Sequence, residues 1–281
     1  MSQTHLTRRQ LLTLAAFALP FHGTALAASP VVGPHKKGLC LSAKKRSPQR
    51  VAQFLKAVNS RWMYNWNIEP PEVLPPNTGF VPMFYSARSV TNPALARVKA
   101  KAKSLGYNEL LGFNEPDAPT QGNTSVQAAL DAWPKLQATG LRLGSPATVH
   151  PDNEWMLAFM KGVEERKLRV DFICMHSYGG PGVESLLKKI RKVHDLYKRP
   201  IWITEFAVAD WEAKTAAENR HTPEQVAAFV TKLLPKLEAM DIVERYAWFT
   251  GGISGGPLAS SQLFNSDGSL SIVGKAYQAI G

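Results

Sequence analysis

The chain is poor in the residues that most often mark metal, cofactor and nucleotide sites. It has only two cysteines in 281 residues, Cys40 and Cys174, and no group of His and Cys residues has zinc-site spacing. Neither the dinucleotide pattern G-x-G-x-x-G nor the P-loop pattern G-x-x-x-x-G-K-[ST] occurs. We therefore expect no metal and no cofactor.

Acidic residues are also scarce, which makes the chain strongly basic. There are 22 Asp and Glu residues against 33 Lys and Arg residues, a formal net charge of +11. The basic residues are scattered in short groups, such as Lys36-Lys37 and Lys188-Lys189, and form no long tract. This scatter favours a solubilising surface over nucleic-acid binding, because a nucleic-acid site concentrates its charge on one face.

No apolar run is long enough for a transmembrane helix, which needs roughly 20 residues. The first run, residues 14–21, follows Arg8-Arg9 and precedes small residues that end at Ala27. This layout predicts a signal peptide over residues 1–27 and a protein exported to the periplasm or secreted, without stable membrane anchoring. The arginine pair suggests the twin-arginine route, with the general secretory route as the alternative.

Eight short apolar runs follow, separated by amphipathic segments. They cover residues 38–42, 62–66, 80–85, 109–114, 142–146, 172–178, 201–206 and 246–250. The runs are short, almost uninterrupted and rich in aliphatic and aromatic residues. They are therefore typical of parallel strands that are buried on both faces.

Helix signals lie between these runs. Ser47-Pro48 and Asn92-Pro93 each predict a cap followed by a proline in the first turn, and Thr222 begins a capping box. Eight strand–helix units predict an α/β fold, a single (β/α)₈ TIM barrel over residues 37–281. An open doubly wound sheet is the alternative, although it would favour a glycine-rich turn after an early strand.

Two glutamates stand at the C-terminal ends of predicted strands, where a TIM barrel forms its active site. Glu115 follows the fourth run and Glu205 lies near the end of the seventh. Each alone could be a helix cap or a surface acid. Together they predict a glycosidase, in which one carboxyl group must be protonated and the other ionised.

Other strand ends carry amide, imidazole and aromatic side chains suited to sugars. Aromatic faces stack on the C–H faces of pyranose rings, whereas amides and imidazoles bond to hydroxyl groups. The predicted substrate-binding residues are Asn65, Trp66, Tyr85, Asn114, His176, Tyr178 and Trp248. The alternatives are a structural histidine and rings that only pack at the rim. Asp117 is predicted to be a turn or cap residue, and Asp210 a solvated loop acid.

Two segments resemble the signatures of a known family. Residues 111–117 (LGFNEPD) and 202–207 (WITEFA) are similar to those of glycoside hydrolase family 128, the endo-β-1,3-glucanases of clan GH-A, also called the glycosyl hydrolase catalytic core. The resemblance implies a retaining barrel enzyme with Glu115 as acid/base and Glu205 as nucleophile. It implies no cofactor and a β-1,3-glucan poly- or oligosaccharide as substrate. We expect a monomer.

One departure from the family pattern bears on the substrate. The sixth strand usually reads His-Trp-Tyr, whereas this chain has Ser177 at the central position. The change could alter a subsite or the balance of endo and exo action. A clan relative acting on another β-glucan or a bacterial exopolysaccharide therefore stays as an alternative, as does a carbohydrate-binding protein without turnover.

Overall fold

A computed structural model describes residues 36–44, 46–250 and 255–280. The predicted signal peptide, residues 1–27, lies outside the described residues. Residues 34–281 belong to one compact unit. Among the described residues, no helix combines the length and apolar character needed to cross a bilayer.

The strands form a parallel ring. They are β1 (Lys37–Cys40), β2 (Trp62–Tyr64), β3 (Gly79–Phe80), β4 (Glu109–Leu110), β5 (Arg142–Leu143), β6 (Ile173–Gly179), β7 (Ile201–Val208) and β8 (Val243–Phe249). Six strands pair in the order β3-β2-β1-β8-β7-β6, and β4 pairs with β5. Single parallel bridges, Met83 to Leu111 and Gly144 to Phe172, join these two sheets on both sides. The predicted TIM-barrel fold is confirmed.

Helices cover most of the outer face of the ring. They are α1 (Pro48–Ala57), α2 (Asn92–Leu105), α3 (Val126–Gln137), α4 (Glu154–Glu165), α5 (Val183–Tyr197), α6 (Pro223–Glu238) and α7 (Ile272–Gln278), with 3₁₀ turns at Ala87–Ser89 and Ala259–Ser261. The expected eight strand–helix units are one helix short, because residues 65–78, all described, contain none between β2 and β3. Four prolines in this segment explain the difference, since proline removes a helical N–H and clashes with the preceding turn.

Side-chain caps set the starts of the helices. The Ser47 hydroxyl accepts from the Arg50 N–H, with Pro48 in the first turn, and Thr222 and Gln225 form the predicted capping box. The prediction for α2 was wrong by one residue, because Thr91, and not Asn92, caps it. Proline is tolerated in the first turn because its missing N–H has no intrahelical partner there.

The core has two layers, one on each face of the ring. The outer layer lies between strands and helices. The inner layer fills the barrel with side chains such as Trp62, Phe172 and Trp202. A Cβ added at Gly144 would lie 2.5 Å from the Phe172 ring, so this glycine makes room for the ring. The barrel interior is therefore filled by side chains, as in other barrels of this fold.

An ionic cluster closes the N-terminal end of the barrel. The Arg245 guanidinium lies over the Trp202 ring, 4.3 Å from its centroid, and donates to Glu109 at 3.0 Å. Glu244 accepts from the Trp202 indole at 2.9 Å and from Arg142 at 3.0 Å. These groups satisfy one another, so the charges at this end are paired inside the protein.

Candidate active site

A pocket of about 650 Å³ opens at the C-terminal ends of the strands. Six of the nine residues predicted from the sequence line it: Trp66, Tyr85, Asn114, Glu115, Tyr178 and Glu205. They come from β2, β3, β4, β6 and β7 or from the segments directly after these strands. The ring therefore brings together side chains that lie far apart in sequence.

A local irregularity in β7 turns Glu205 into the barrel. Along β6 and β7, Met175 pairs with Ile203 but His176 pairs with Glu205, so Thr204 is an extra residue. Trp202 faces the barrel interior and Ile203 the helices. Strict alternation would therefore point residue 204 inward and Glu205 outward. The β-bulge reverses this, as bulges near active sites commonly re-aim a side chain.

Hydrogen-bond donors surround the Glu205 carboxylate. Its Oε1 accepts from the Tyr64 hydroxyl at 2.9 Å and from the Trp66 indole at 2.7 Å. Its Oε2 accepts from the Tyr178 hydroxyl at 2.5 Å. Burial, followed by the charge of Glu205, raises the pKa of both tyrosines well above its ordinary value. Both phenols therefore keep their protons and can donate, and the three donors fix the position of the Glu205 carboxyl group.

Glu115 stands at the end of β4 in an unusual backbone conformation. Its φ is 36°, in the left-handed region that most residues avoid, and its N–H donates to Ala147 at 2.7 Å. Strain of this kind persists only where neighbouring structure enforces it, and it is common at active sites. The Glu115 side chain is 17% exposed, compared with 6% for Glu205. Glu115 is therefore the more open of the two carboxyl groups.

His176 is buried between the two glutamates. Its Nδ1 lies 2.9 Å from Glu115 Oε1 and forms a hydrogen bond with it. Its Nε2 lies 3.4 Å from Glu205 Oε1, a charge contact without hydrogen-bond geometry. Burial acts to lower the pKa of His176, but the charge of Glu205 and the hydrogen bond and charge of Glu115 outweigh it, so the pKa is raised. His176 therefore contacts both glutamates and links them within the protein.

The same three side chains are the set that could hold a cation. One ligand atom each from Glu115, His176 and Glu205 lie within 4.8 Å of one another. The contacts with Tyr64, Trp66 and Tyr178 already satisfy the Glu205 oxygens. The geometry is therefore that of an acid pair held by protein donors.

Asn114 offers an open acceptor beside Glu115. The residue is 4% exposed, and its Oδ1 has no hydrogen-bond partner among the described residues. Its backbone N–H donates to Tyr85 at 3.0 Å, and its carbonyl accepts from Gly122 at 3.0 Å. A buried polar atom without a partner is costly, so a ligand hydroxyl that donates to it would be favoured.

Two predicted substrate-binding residues, Trp248 and Asn65, do not line the pocket, and the structure corrects the prediction for both. Trp248 is fully buried against Phe206 and Tyr277 in the outer layer, and the next residue, Phe249, lines the pocket. Alternation along β8 explains this, because neighbouring side chains point to opposite faces. Asn65 instead stabilises its own loop, where its amide donates to Glu69 at 3.0 Å. The third residue outside the lining, His176, lies beneath the two glutamates.

The acids that flank the site have structural contacts. Asp117, predicted to be a turn or cap residue, accepts from the Val149 N–H at 3.2 Å and from the Asn153 amide at 2.7 Å. Asp210 was wrongly predicted to be a solvated loop acid: it is 1% exposed and paired with Arg220. No run or motif around Asp210 indicated this burial.

Sequence reasoning missed several residues of the site. Tyr64, a donor to Glu205, directly precedes two residues that were selected, and its position at the end of β2 could have identified it. Gln121, Lys189 and Trp211 also line the pocket, but they lie on loops or a helix where no periodic pattern singles them out. Ser177, the departure on β6, does not line it.

Comparison with known proteins gives a consistent result. The family model described as glycosyl hydrolase catalytic core matches residues 39–277. Alkali-sensitive linkage protein 1 of Schizosaccharomyces pombe is 30% identical over 225 residues, which cover 77% of this chain and 39% of that protein. The chain thus spans about two fifths of the length of this curated relative.

Two solved structures are similar over nearly their whole length. One is a GH128 subgroup I endo-β-1,3-glucanase from Amycolatopsis mediterranei in complex with laminaritriose. It is 38% identical with a TM-score of 0.73, over 88% of this chain and 99% of that one. The other is a GH128 subgroup III curdlan-specific exo-β-1,3-glucanase from Blastomyces gilchristii in complex with glucose. It is 27% identical with a TM-score of 0.67, over 87% of this chain and 98% of that one.

Proposed function

The chain belongs to the glycosyl hydrolase catalytic core family, glycoside hydrolase family 128, and from this membership we propose that it is a retaining endo-β-1,3-glucanase. One observation carries the proposal: Glu115 and Glu205 face one pocket from the ends of β4 and β7 and are linked through His176. This is the paired-carboxylate arrangement that glycoside hydrolysis requires.

The surroundings of the two glutamates support different roles. Three donors hold the Glu205 carboxyl group in one orientation, which suits a nucleophile. Glu115 is more open to the pocket and has a single imidazole contact, which suits a group that gives and takes a proton. In the first step Glu115 protonates the glycosidic oxygen while a Glu205 oxygen attacks the anomeric carbon. The C–O bond to the leaving sugar breaks, and a glycosyl ester forms.

The second step returns the enzyme to its starting state. Glu115, now ionised, removes a proton from water, and the water oxygen attacks the anomeric carbon. The ester bond breaks, Glu205 leaves as a carboxylate, and Glu115 is again protonated. The close approach of their oxygens, within 4.8 Å, favours this double displacement over inversion, which needs carboxyl groups separated by about 6.5–9.5 Å to admit a water molecule.

Asn114 suits the binding of the sugar that is cleaved. Its buried Oδ1 lacks a partner among the described residues and lies on the residue next to Glu115. We propose that the 2-hydroxyl of the sugar donates to it. Bonds at this hydroxyl strengthen as positive charge develops at the neighbouring anomeric carbon, so they stabilise the transition state more than the bound substrate.

The choice of β-1,3-glucan rests on the relatives, and the choice of endo action on the Amycolatopsis mediterranei endo-β-1,3-glucanase, which is more similar to this chain than the exo enzyme. Aromatic side chains of Trp66, Tyr85, Tyr178 and Phe249 line its walls and can stack on successive sugar rings. Exo action and another β-glucan or exopolysaccharide are the competing outcomes, and binding without turnover is a third.

The test is incubation with laminarin, curdlan and a panel of other polysaccharides, with chromatographic separation of the products. We expect oligosaccharides of mixed length from laminarin, and NMR of fresh product should show the β-anomer first. Glu205→Gln should abolish release, whereas Glu72→Gln, on an exposed acid of the β2–β3 loop, should not change it. Glucose as sole product would favour exo action, and binding with no product would overturn the enzymatic proposal.

We also propose that the protein is exported and acts as a monomer. The proposal of export rests on the arginine pair and the apolar run in residues 1–27. Cell fractionation should place the mature protein outside the cytoplasm, and Arg8→Lys together with Arg9→Lys should retain it inside if the twin-arginine route is used. A mass of two or more chains in light scattering would contradict the monomer.

A further inference from the structure

We propose that Trp211 is a sugar-binding platform at the rim of the pocket, one that binds a glucan unit away from the cleaved bond. The inference rests on the proposed function and names a specificity-determining residue for it. No motif in the sequence marks this tryptophan, and it follows from three features of the structure.

The first feature is exposure. Trp211 is 61% exposed, the highest value among the large hydrophobic side chains of the described residues. Tryptophan is usually well buried, whereas this exposed ring adjoins Tyr178 in the lining of a pocket, and an exposed apolar patch in such a groove is typical of a ligand-binding surface. Trp211 lines the same pocket as Glu115 and Glu205, so its exposed surface faces the route that a bound chain would follow.

The second feature is the placement of Trp211 relative to the nucleophile. Its ring meets Tyr178 edge to face, with centroids 5.8 Å apart and planes at 70°. The Tyr178 hydroxyl in turn donates to Glu205. Trp211 is thus separated from the reacting carboxylate by one aromatic side chain, which places it beside a neighbouring sugar.

The third feature is the fixed loop that carries the ring. The preceding residue, Asp210, is 1% exposed and accepts from the Arg220 backbone N–H and from its Nε, each at 2.9 Å. The Asp210 N–H donates to Pro257 at 2.9 Å, and the Asn219 amide donates to the same carbonyl at 3.1 Å. An exposed ring on a loop that is held by these hydrogen bonds is preorganised, so little conformational entropy is lost when a ligand stacks on it.

The chemistry of the pocket identifies the ligand class. An indole presents a flat apolar face, which matches the C–H face of a β-linked glucose, while the hydroxyl edge stays in water. Covering part of an exposed tryptophan would contribute about 1.4 kcal/mol, equivalent to a tenfold change in affinity. Removing the ring should therefore weaken binding of long chains and leave the chemical step unchanged.

The first test is a comparison of kinetic constants on laminari-oligosaccharides of increasing length. For Trp211→Ala we expect roughly a tenfold rise in KM for long oligosaccharides, kcat within about twofold of wild type, and a smaller effect on the shortest cleaved substrate. Trp211→Phe should recover most of the affinity. Leu105→Ala, which removes a side chain of similar exposure on α2, should change neither constant.

Binding without turnover provides a second readout. In a Glu205→Gln background, long oligosaccharides should shift tryptophan fluorescence and protect it from iodide quenching, and Trp211→Phe should remove most of this protection. Arg220→Gln should raise KM in the same direction as Trp211→Ala, because it releases Asp210 and the loop while leaving the ring present. Unfolding midpoints should be unchanged for Trp211→Ala, since its ring is exposed.

The outcomes separate this proposal from the proposed function. If wild type cleaves β-1,3-glucan and Trp211→Ala leaves KM unchanged at every length, the platform is refuted while the function stands. A fall in kcat with unchanged KM would also refute it. If wild type cleaves no β-1,3-glucan, the proposed function fails. Fluorescence titration of the Glu205→Gln variant with the polysaccharide panel then decides, and binding that is insensitive to Trp211→Ala refutes the platform.

Discussion

The contact between Tyr178 and Glu205 allows the proposed role of Glu205 as nucleophile to be tested by removing one hydroxyl group. Tyr178→Phe deletes the hydroxyl that lies 2.5 Å from Glu205 Oε2. The ring and its contacts with Trp211 and Phe249 remain. Among the described residues this hydroxyl is the one donor to that oxygen, whereas Tyr64 and Trp66 both donate to Oε1. The variant therefore isolates one hydrogen bond.

The size of the effect follows from the charge of the acceptor. A hydrogen bond to a charged group is worth about 1.5–3 kcal/mol, and each 1.4 kcal/mol is about tenfold in rate. Losing the bond removes the donor that holds Glu205 Oε2 in place, so kcat on laminarin should fall by roughly 10- to 100-fold. The expected direction is a loss, because the deleted hydroxyl fixes the position of the carboxyl group in the pocket.

The assay is the rate of reducing-end release at saturating laminarin. Tyr85→Phe is the matched control, because its hydroxyl donates to Gln121 in the same pocket and to neither glutamate. Its kcat should stay within about twofold of wild type. An unchanged kcat in Tyr178→Phe, or an equal fall in both variants, would refute the reasoning, provided that thermal unfolding shows both proteins to be folded.

Three further predictions concern stability, each measured by urea unfolding. Because the pKa of His176 is raised in the folded state, its protonation stabilises the fold at pH values below the ordinary pKa of histidine, and this stabilisation is lost as pH rises through the folded pKa. His176→Gln should therefore cost about 1–2 kcal/mol more at mildly acidic than at alkaline pH. Equal losses at the two pH values would contradict this. Arg245→Met removes the closer of the two guanidinium groups beside Glu109, at 3.0 Å, and leaves Arg142 at 4.0 Å. It should cost about 2–3 kcal/mol while kcat is retained, because the cluster lies at the far end of the barrel. An unchanged unfolding midpoint would count against this. Gly144→Ala should cost about 1–3 kcal/mol by overpacking, whereas Gly179→Ala, with no atom within 4 Å of the added carbon, should cost little. Similar losses in both variants would show that the inner layer can rearrange around the added methyl group.

The sequence was sufficient for the fold and for the pair of acids. Eight apolar runs correspond to eight strands because a doubly covered parallel strand must be apolar along its whole length. Glu115 and Glu205 were identifiable because each interrupts that apolarity near a strand end. Even the missing helix between β2 and β3 corresponds to a proline-rich segment that the sequence shows.

The orientation of individual side chains was not available from the same pattern. In a strand that is apolar on both faces, nothing distinguishes an inward from an outward residue, and Trp248 was therefore placed in the pocket although Phe249 lines it. The prediction for Asn65 was wrong for a different reason, because loop amides often form hydrogen bonds with the backbone of their own loop. Trp211 and Asp210 lie on a loop, where no periodic pattern indicates whether a residue is buried or exposed. The ion pair that holds this loop joins Asp210 to Arg220, ten positions away.

The bulge at Thr204 makes the direction of the Glu205 side chain depend on the number of residues in β7 more than on their identity. A point substitution at residue 204 changes a side chain but preserves this number, and Glu205 continues to face Glu115. Deletion of this one residue would restore regular alternation and turn Glu205 toward the helices, although both glutamates would still be present in the sequence. Under the proposed mechanism, a homologue with a gap at this position would be inactive even with both glutamates intact.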